Sequence, residues 1–282
     1  MKSLGARIGG CCLLAAAVLL LPAAPLAAEG TAPTGNFSTT IASAHIWRGY
    51  ELSRNSIVIQ PSATVGYRGF SANFWGNLDT KPYDPSGTKS YASRWNETDL
   101  TLSYAKDLGP VTVGGGYIYV SLGPLNADGE DRPDSQDLFV SVTGNTLLSP
   151  TLIIYKEIAH YRNWYFLLGV SHTFEFSKAI SLKVAATASY LLSTDETTYP
   201  EFDGDALATS NKFSNFHDAT LSTSLSIKVT DNITLTPVLT YIFPLTGAAR
   251  NEMRGYGLKG AYLPSERDGN YLVGGITASF SF

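Results

Sequence analysis

Residues 271–282 read YLVGGITASFSF, a stretch in which apolar residues alternate with small polar ones. Leu272, Ile276 and Phe280 fall on one face of an extended chain, and Thr277 falls on the other. Side chains of a β-strand point alternately to opposite faces of the sheet. The stretch therefore predicts a strand with one apolar face and one largely polar, uncharged face.

The same two-residue period returns about twelve times along the chain, with turn residues between the segments. The predicted strands are residues 37–47, 57–67, 70–77, 97–104, 111–120, 137–143, 151–157, 164–171, 180–188, 221–229, 233–241 and 271–282. A soluble β-sandwich shows the same alternation, so the period alone leaves two architectures open.

Connection lengths separate these two architectures. Every second connection is a short turn, as at residues 67–70 and 230–232, whereas most of the others are long and polar, as at 193–217 and 244–270. Short turns at one end and long loops at the other are typical of outer-membrane barrels, whose termini both lie in the periplasm. The sequence predicts an all-β fold, a transmembrane antiparallel β-barrel of about twelve strands with short periplasmic turns and long outer loops.

Backbone hydrogen bonding explains why such a sheet must close. In hydrocarbon an unpaired N–H or C=O group costs several kcal/mol, so a sheet can cross a membrane only if it has no edge. We expect the chain to lie in a bacterial outer membrane, surrounded by membrane lipids and lipopolysaccharide.

The first 28 residues have the three-part layout of a secretory signal peptide. Lys2 and Arg7 precede an uncharged stretch, and a small-residue segment ends at Ala28. We expect cleavage after Ala28, a short periplasmic segment at 29–35, and the barrel over 36–282.

Composition excludes several classes of chemistry. Cys11 and Cys12 lie in the signal region, so the mature chain would hold no thiol, disulfide or cysteine-bound zinc. Without Lys2 and Arg7 the basic residues number 18 against 24 acids, which argues against nucleic acid as a partner. No phosphate-binding glycine loop or EF-hand spacing is present, so we expect no cofactor and no metal site.

Two stretches resemble a known family. Residues 43–49 read SAHIWRG, and residues 69–77 read GFSANFWGN. Together they resemble the TorF-type porins of proteobacteria, which open with a serine, an acidic residue, two aromatic residues around one variable position and Arg-Gly, followed by a Gly-Phe to Trp-Gly hairpin. Here Ala44 stands in place of the acidic residue, and His45 in place of the first aromatic one. The resemblance spans residues 43–77 and implies an outer-membrane barrel of the porin type.

The polar strand faces place charged residues in the lumen, and Lys156 is predicted to join them. The pore-lining candidates are Arg48, Glu97, Asp99, Asp137, Lys183 and Lys228. Charges of both signs could create a transverse field for small polar solutes, or could pair and plug the lumen. Arg48 either attracts anions at the pore mouth or fixes its loop by pairing with Glu51 or a lumenal acid. Gly49 is typical of a turn and favours the second interpretation.

A barrel serine hydrolase would need a serine and a histidine within hydrogen-bond reach. Ser43 and His45 share a face of the first predicted strand, but chance readily produces such a pair in a serine-rich chain. His172 is predicted on an apolar face near the periplasmic interface, and His160 and His217 in solvated loops. We therefore predict no catalytic residues and no enzyme activity.

The sequence favours a narrow passive channel for small polar solutes or ions, because twelve strands leave less room than the 16 to 18 of general porins. Two alternatives remain open: an outer-membrane enzyme acting on lipid or surface substrates, and a non-conducting barrel whose outer loops bind a partner. The loop at 193–217 could fold inward as a constriction or stand out as a binding surface. A monomer is expected.

Overall fold

The computed structural model describes residues 32–54, 56–83, 92–124, 130–256 and 269–282, and the predicted signal peptide lies outside them. In chain order the strands are β1 (Thr34–Ala42), β2 (Ile46–Trp47), β3 (Tyr50–Glu51), β4 (Val58–Tyr67), β5 (Phe70–Asp79), β6 (Arg94–Asp107), β7 (Val111–Leu122), β8 (Ser135–Gly144), β9 (Thr151–Glu157), β10 (Asn163–Glu175), β11 (Ile180–Ser193), β12 (Pro200–Phe202), β13 (Ala208–Lys212), β14 (Ser214–Lys228), β15 (Ile233–Pro244) and β16 (Tyr271–Ser281). Helix α1 (Gly247–Tyr256) precedes β16. Among the described residues no helix is long and apolar enough to cross a membrane.

Twelve of these strands form one closed antiparallel sheet. Around the ring, β1 is followed by β16, β15, β14, β11, β10, β9, β8, β7, β6, β5 and β4, and β4 pairs with β1 again. Each barrel strand therefore has a neighbour on both sides, which removes the open edge that a membrane would not tolerate. The predicted fold class and strand number are confirmed.

The connections sort by length between the two ends of the barrel, as predicted. The backbone N–H of Gly35 donates to the carbonyl of Phe282, so the first and last strands meet at one end. Short turns lie at that end, which is the periplasmic one. One of them, Arg68–Gly69, has φ values of 49° and 86°, as a two-residue type I′ turn requires.

The outer face of the barrel is apolar. Phe37 pairs with Phe280 and Ile41 with Ile276 across β1 and β16, and all four side chains are about half exposed. Serines and threonines at the alternate positions are buried toward the lumen. The barrel thus presents a continuous apolar belt to lipid, and the chain is an outer-membrane β-barrel.

The first strand is shorter than the alternation predicts. The prediction runs over residues 37–47, but β1 ends at Ala42, and the chain then turns into the barrel to form the hairpin β2–β3. The turn of this hairpin is Arg48–Gly49, with φ values of 47° and 81°. The prediction is wrong here because a short hairpin keeps the same period of two as a barrel strand.

Hairpin β2–β3 crosses the lumen near its outer end. Arg48 at its tip contacts Asp137 on β8, Tyr155 on β9 and Tyr165 on β10. In the ring of twelve, β9 stands six places from β1, and it therefore lies on the opposite wall. The hairpin reaches from one wall of the barrel to the other.

Helix α1 lies within the last predicted outer loop and was not expected from the sequence. The hydroxyl of Thr246 accepts a hydrogen bond from the N–H of Ala249 at 3.1 Å, which caps the helix. Ala249, Glu252 and Met253 share one helix face and are fully buried, and Met253 packs in a cluster with Ile46 of the hairpin. Hairpin β2–β3 and helix α1 both lie in the outer half of the lumen, and together they are termed the plug.

The two ends of the loop at 193–217, where it joins the barrel, pack over the plug. Tyr199 and Phe213 are buried, and the ring of Tyr199 lies 6.1 Å from that of Tyr50 in the hairpin. Beyond them, strands β12 and β13 form a short hairpin whose tip at Asp205 is exposed. The loop therefore both covers the plug and projects outward, so the two interpretations of the sequence each describe one part of it.

Candidate functional site: the lumen and its plug

Below the plug, the inner wall consists mainly of small polar side chains. Buried inward positions include Ser38, Thr40, Ser62, Ser71, Thr151, Thr187, Ser222, Ser224, Ser226, Thr236 and Thr277. An eight-stranded barrel is just wide enough for ordinary side chains to fill, so twelve strands lined by serine and threonine leave space along the axis. This part of the lumen is polar and almost uncharged.

The two lysines among the pore-lining candidates lie near the periplasmic end. Lys183 is the fourth residue of β11 from its periplasmic turn and is half-buried on the inner face. Lys228 is the last residue of β14, shares a face with Ser226 and is exposed. The lysines are therefore separated along the barrel axis from the acids of the outer half, and the transverse pairing considered from the sequence does not involve them.

Arg48 is the centre of the contact between the plug and the far wall. Its Nη2 donates to Oδ2 of Asp137 at 3.1 Å, and the side chain is 3 % exposed. The guanidinium carbon lies 4.5, 4.7 and 4.8 Å from the ring centroids of Trp47, Tyr155 and Tyr165. Burial is the largest influence and works against the charge, but the combined attraction of Asp137 and of the hydroxyls of Tyr155, Tyr165 and Tyr199 outweighs it and raises the pKa of Arg48. Arg48 thus pairs with a lumenal acid and fixes the hairpin, which is the interpretation that the sequence favours.

A second group of polar contacts joins the plug to β14. His217 lies between two carboxylates, with Nε2 2.6 Å from Oε2 of Glu252 on α1 and Nδ1 2.9 Å from Oδ1 of Asp218. The hydroxyl of Tyr50 donates to Oε1 of Glu252 at 2.7 Å. Asp218 also accepts hydrogen bonds from Tyr165 and Ser189. These contacts hold the helix, the hairpin and the barrel wall together as one unit.

Three acids occupy the wall beside the hairpin. Glu97 and Asp99 on β6 and Asp137 on β8 all face inward. Nε2 of His45 lies 2.9 Å from Oε2 of Glu97. The buried Oδ1 atoms of Asp99 and Asp137 have no hydrogen-bond partner among the residues that the structure describes. This face of the lumen is the most acidic part of the inner wall that the structure describes.

A cavity of about 70 Å³ lies between the hairpin and the wall formed by β6, β7 and β8. It is lined by Trp47, Tyr50, Leu52, Glu97, Val120, Leu122, Arg132, Ser135, Tyr161 and Tyr199. Glu97 is the acid in this lining, and Val120 is the strand partner of Asp99. The cavity therefore lies in the outer part of the lumen, beside the acidic wall.

The histidines do not form a catalytic pair in the part of the chain that the structure describes. Ser43 accepts a hydrogen bond from the N–H of Gly274, whereas the ring of His45 turns toward Glu97, because both residues lie beyond the end of β1. Ser189 bonds to Asp218 and not to His217. The described residues also contain no group of three or more potential ligands that could hold a metal ion.

Two of the other histidines lie where the sequence places them, and one does not. His160 is exposed in the loop after β9. His172 lies against Phe174, and its Nδ1 is 2.8 Å from the carbonyl oxygen of Leu147 in a periplasmic turn. His217, predicted in a solvated loop, is fully buried, because β14 begins at Ser214 and extends further outward than its alternation indicates.

One further expectation about side-chain direction is wrong. Lys156, predicted to face the lumen, lies on the outer face of β9, with Nζ 5.1 Å from the ring centroid of Trp164. Neighbouring residues on the two faces of β9 are similar in polarity, so the sequence pattern does not fix which face is turned inward. Trp75 on β5 turns inward and lies 5.5 Å from the ring of His45.

Glu157 is an inward-facing acid that the sequence does not single out. Its Oε1 accepts hydrogen bonds from the backbone N–H groups of Ala159 and His160, and its Oε2 accepts one from Arg162 at 2.6 Å. It thus holds the one short outer loop in place. A glutamate at the last position of a strand before a brief connection is the signal that could have indicated this role.

Comparison with known proteins supports the fold only. The sequence matches no protein-family model and no curated protein. Among solved structures, the NanC porin aligns with a TM-score of 0.51 and 12 % identity over 87 % of this chain and 98 % of that one. The chain has the fold of a porin-type barrel. The KdgM porin (TM-score 0.47, 9 % identity, 88 % and 99 % covered) and an outer-membrane channel from Pseudomonas putida F1 (0.45, 8 %, 89 % and 96 %) are more distant.

Proposed function

We propose that this protein is a narrow passive channel of the outer membrane for small polar solutes or ions. The observation that supports this function is the polar, nearly uncharged inner wall below the plug, formed by small side chains in a ring of twelve strands. A barrel that serves only as a scaffold for its loops would gain stability from a packed interior along its full length. Here the clusters of buried apolar side chains centre on the plug, and the inner wall below it carries mainly small polar side chains.

The proposed route enters beside the hairpin and not through its middle. On one side of the hairpin, α1 and its buried face occupy the lumen. On the other side the cavity lined by Glu97 and Tyr161 remains. Solutes would pass through this gap and then into the serine- and threonine-lined part of the barrel, with membrane lipids and lipopolysaccharide outside and the chain acting as a monomer.

We also propose that the chain is a TorF-type porin. Trp47, Arg48 and Gly49, which carry the resemblance, form the tip of the hairpin that crosses the lumen. Gly76 belongs to the second matching stretch, and a Cβ there would lie 1.9 Å from the ring of Trp95. The matching residues thus have structural roles in the plug and at the sheet surface.

Single-channel current recording tests the proposed channel. The refolded chain is inserted into planar lipid bilayers, and heat-modifiable migration in gels identifies the folded fraction. We expect reproducible single-channel steps that are smaller than those of a sixteen-stranded porin measured in the same salt. A correctly folded barrel that inserts and never conducts would overturn the channel and leave a scaffold for partner-binding loops.

A further inference from the structure

We infer that the passage beside the hairpin selects for cations, with Glu97 and Asp99 as the residues that determine this preference. The inference rests on the proposed channel and adds to it the charge of the permeating solute.

The passage carries more negative than positive charge. Glu97 lines it, and Asp99 and Asp137 lie beside it on the same inner wall. Nε2 of His45 is 2.9 Å from Glu97, and the guanidinium of Arg48 is engaged by Asp137. Arg132 also borders the cavity, where its Nε donates to the carbonyl oxygen of Gly123. Two arginines, one at the tip of the hairpin and one at the rim, stand against three carboxylates, so this wall has an excess of acidic side chains.

Asp99 is the acid best placed to meet a permeating ion. No residue of the described chain donates a hydrogen bond to its buried Oδ1, and Glu97 lies two residues away on the same inner face of β6. Oδ1 of Asp137 also has no hydrogen-bond partner among the described residues, and Asp137 is only 1 % exposed. Buried carboxylate oxygens are normally bonded, so these two atoms are available to water or to a cation.

The shape of the passage strengthens the effect of its charge. Glu97 shares the lining of the cavity with the apolar side chains of Val120 and Leu122 and with the rings of Trp47 and Tyr199. A narrow cleft with low-dielectric walls focuses the field of its charges and raises the local concentration of ions of opposite sign. The aromatic faces are themselves compatible with cations, as their contact with Arg48 shows for Trp47.

A competing influence comes from the periplasmic mouth. Lys183 and Lys228 lie there and would favour anions. The wider lower lumen has small polar walls and gives solutes room to stay hydrated, which screens those lysines. The constriction, not the mouth, should therefore control selectivity.

The experiment measures the sign of the reversal potential of the full refolded chain in bilayers with a potassium chloride gradient of about tenfold, and converts it to a permeability ratio. The variants are Asp99→Asn and Glu97→Gln, which keep side-chain shape, and the control is Asp231→Asn in an exposed periplasmic turn. We expect the native chain and the control to prefer potassium, and each passage variant to lower that ratio by at least about twofold.

The possible outcomes distinguish the two proposals. A native chain that conducts but prefers chloride overturns the cation selectivity and leaves the channel intact, and this result needs no variant to fold. A native preference for potassium that neither passage variant changes also overturns the assignment of Glu97 and Asp99. A folded chain without conductance overturns the channel itself and this inference with it.

Discussion

At the scale of single residues, Arg48 shows how one side chain can serve as a structural anchor in a lumen. Its charge is removed from water and is compensated by Asp137 and by three aromatic rings. A buried pair of this kind is weak support for net stability, because both ions lose their hydration. Removing the charge of Arg48 is nevertheless expected to be costly, since it leaves Asp137 buried and uncompensated.

We predict that Arg48→Met destabilises the folded barrel by about 3 to 5 kcal/mol, because Asp137 then remains buried without its partner. The double variant Arg48→Met with Asp137→Leu should recover part of this loss. Denaturant unfolding of protein refolded into lipid vesicles measures the change in free energy. The matched control is Arg162→Met, which breaks an ion pair with Asp195 in which the arginine side chain is 64 % exposed. The Arg162→Met substitution should lower the free energy of unfolding by less than about 1 kcal/mol. Equal losses in the two single variants would contradict the role given to Arg48.

At the scale of elements, the strands were predictable and the plug was not. Alternation indicates each barrel strand because lipid on one side and a polar lumen on the other impose the period of two. Helix α1 has no comparable pattern in the sequence, since its buried face consists of Ala249, Glu252 and Met253 and is only weakly apolar. The buried hydrogen bonds of Glu252 and His217 join residues distant in the chain, and no local pattern encodes them.

One signal of the plug was present in the sequence. Tyr165 and Leu167 lie between Trp164, Phe166 and Leu168, so this part of β10 is apolar on both faces. In a barrel with a polar lumen, an apolar inner face requires a covering element, and here Tyr165 and Leu167 are fully buried against the plug cluster. Interruptions of the polar face thus predict where something is inserted, although not what it is.

We predict that replacing α1, residues 247–256, with a glycine-serine linker increases single-channel conductance by at least about twofold, because the helix occupies the part of the lumen that the hairpin leaves free. Shortening the exposed tip of the β12–β13 hairpin at residues 203–205 is the control and should leave conductance unchanged. An unaltered conductance in the helix variant would mean that ions do not pass the outer half on that side even when it is empty.

At the scale of the whole molecule, the sorting of turns and loops fixes the orientation in the membrane. The mature chain is expected to hold no cysteine, so single cysteines can report it. We predict that Leu207→Cys, in the outer hairpin region, reacts with a membrane-impermeant maleimide on intact cells. Asp231→Cys, in a periplasmic turn, should react only after the outer membrane is permeabilised. The reverse pattern of labelling would contradict the orientation.

The ring order has a consequence for how this protein is assembled. The hairpin follows β1 directly and α1 shortly precedes β16, and these two strands are the ones that pair to complete the ring. Tyr50 and Glu252, which join the two parts of the plug, are 202 residues apart in the chain. Contacts over such distances form late, because the entropy of closing the chain must be overcome first. The step that completes the sheet is therefore the same step that unites the two inserted parts. A partly assembled barrel is open along its side and does not enclose a pore. A completed barrel already contains the plug, so assembly does not pass through a stage with a wide open pore across the outer membrane.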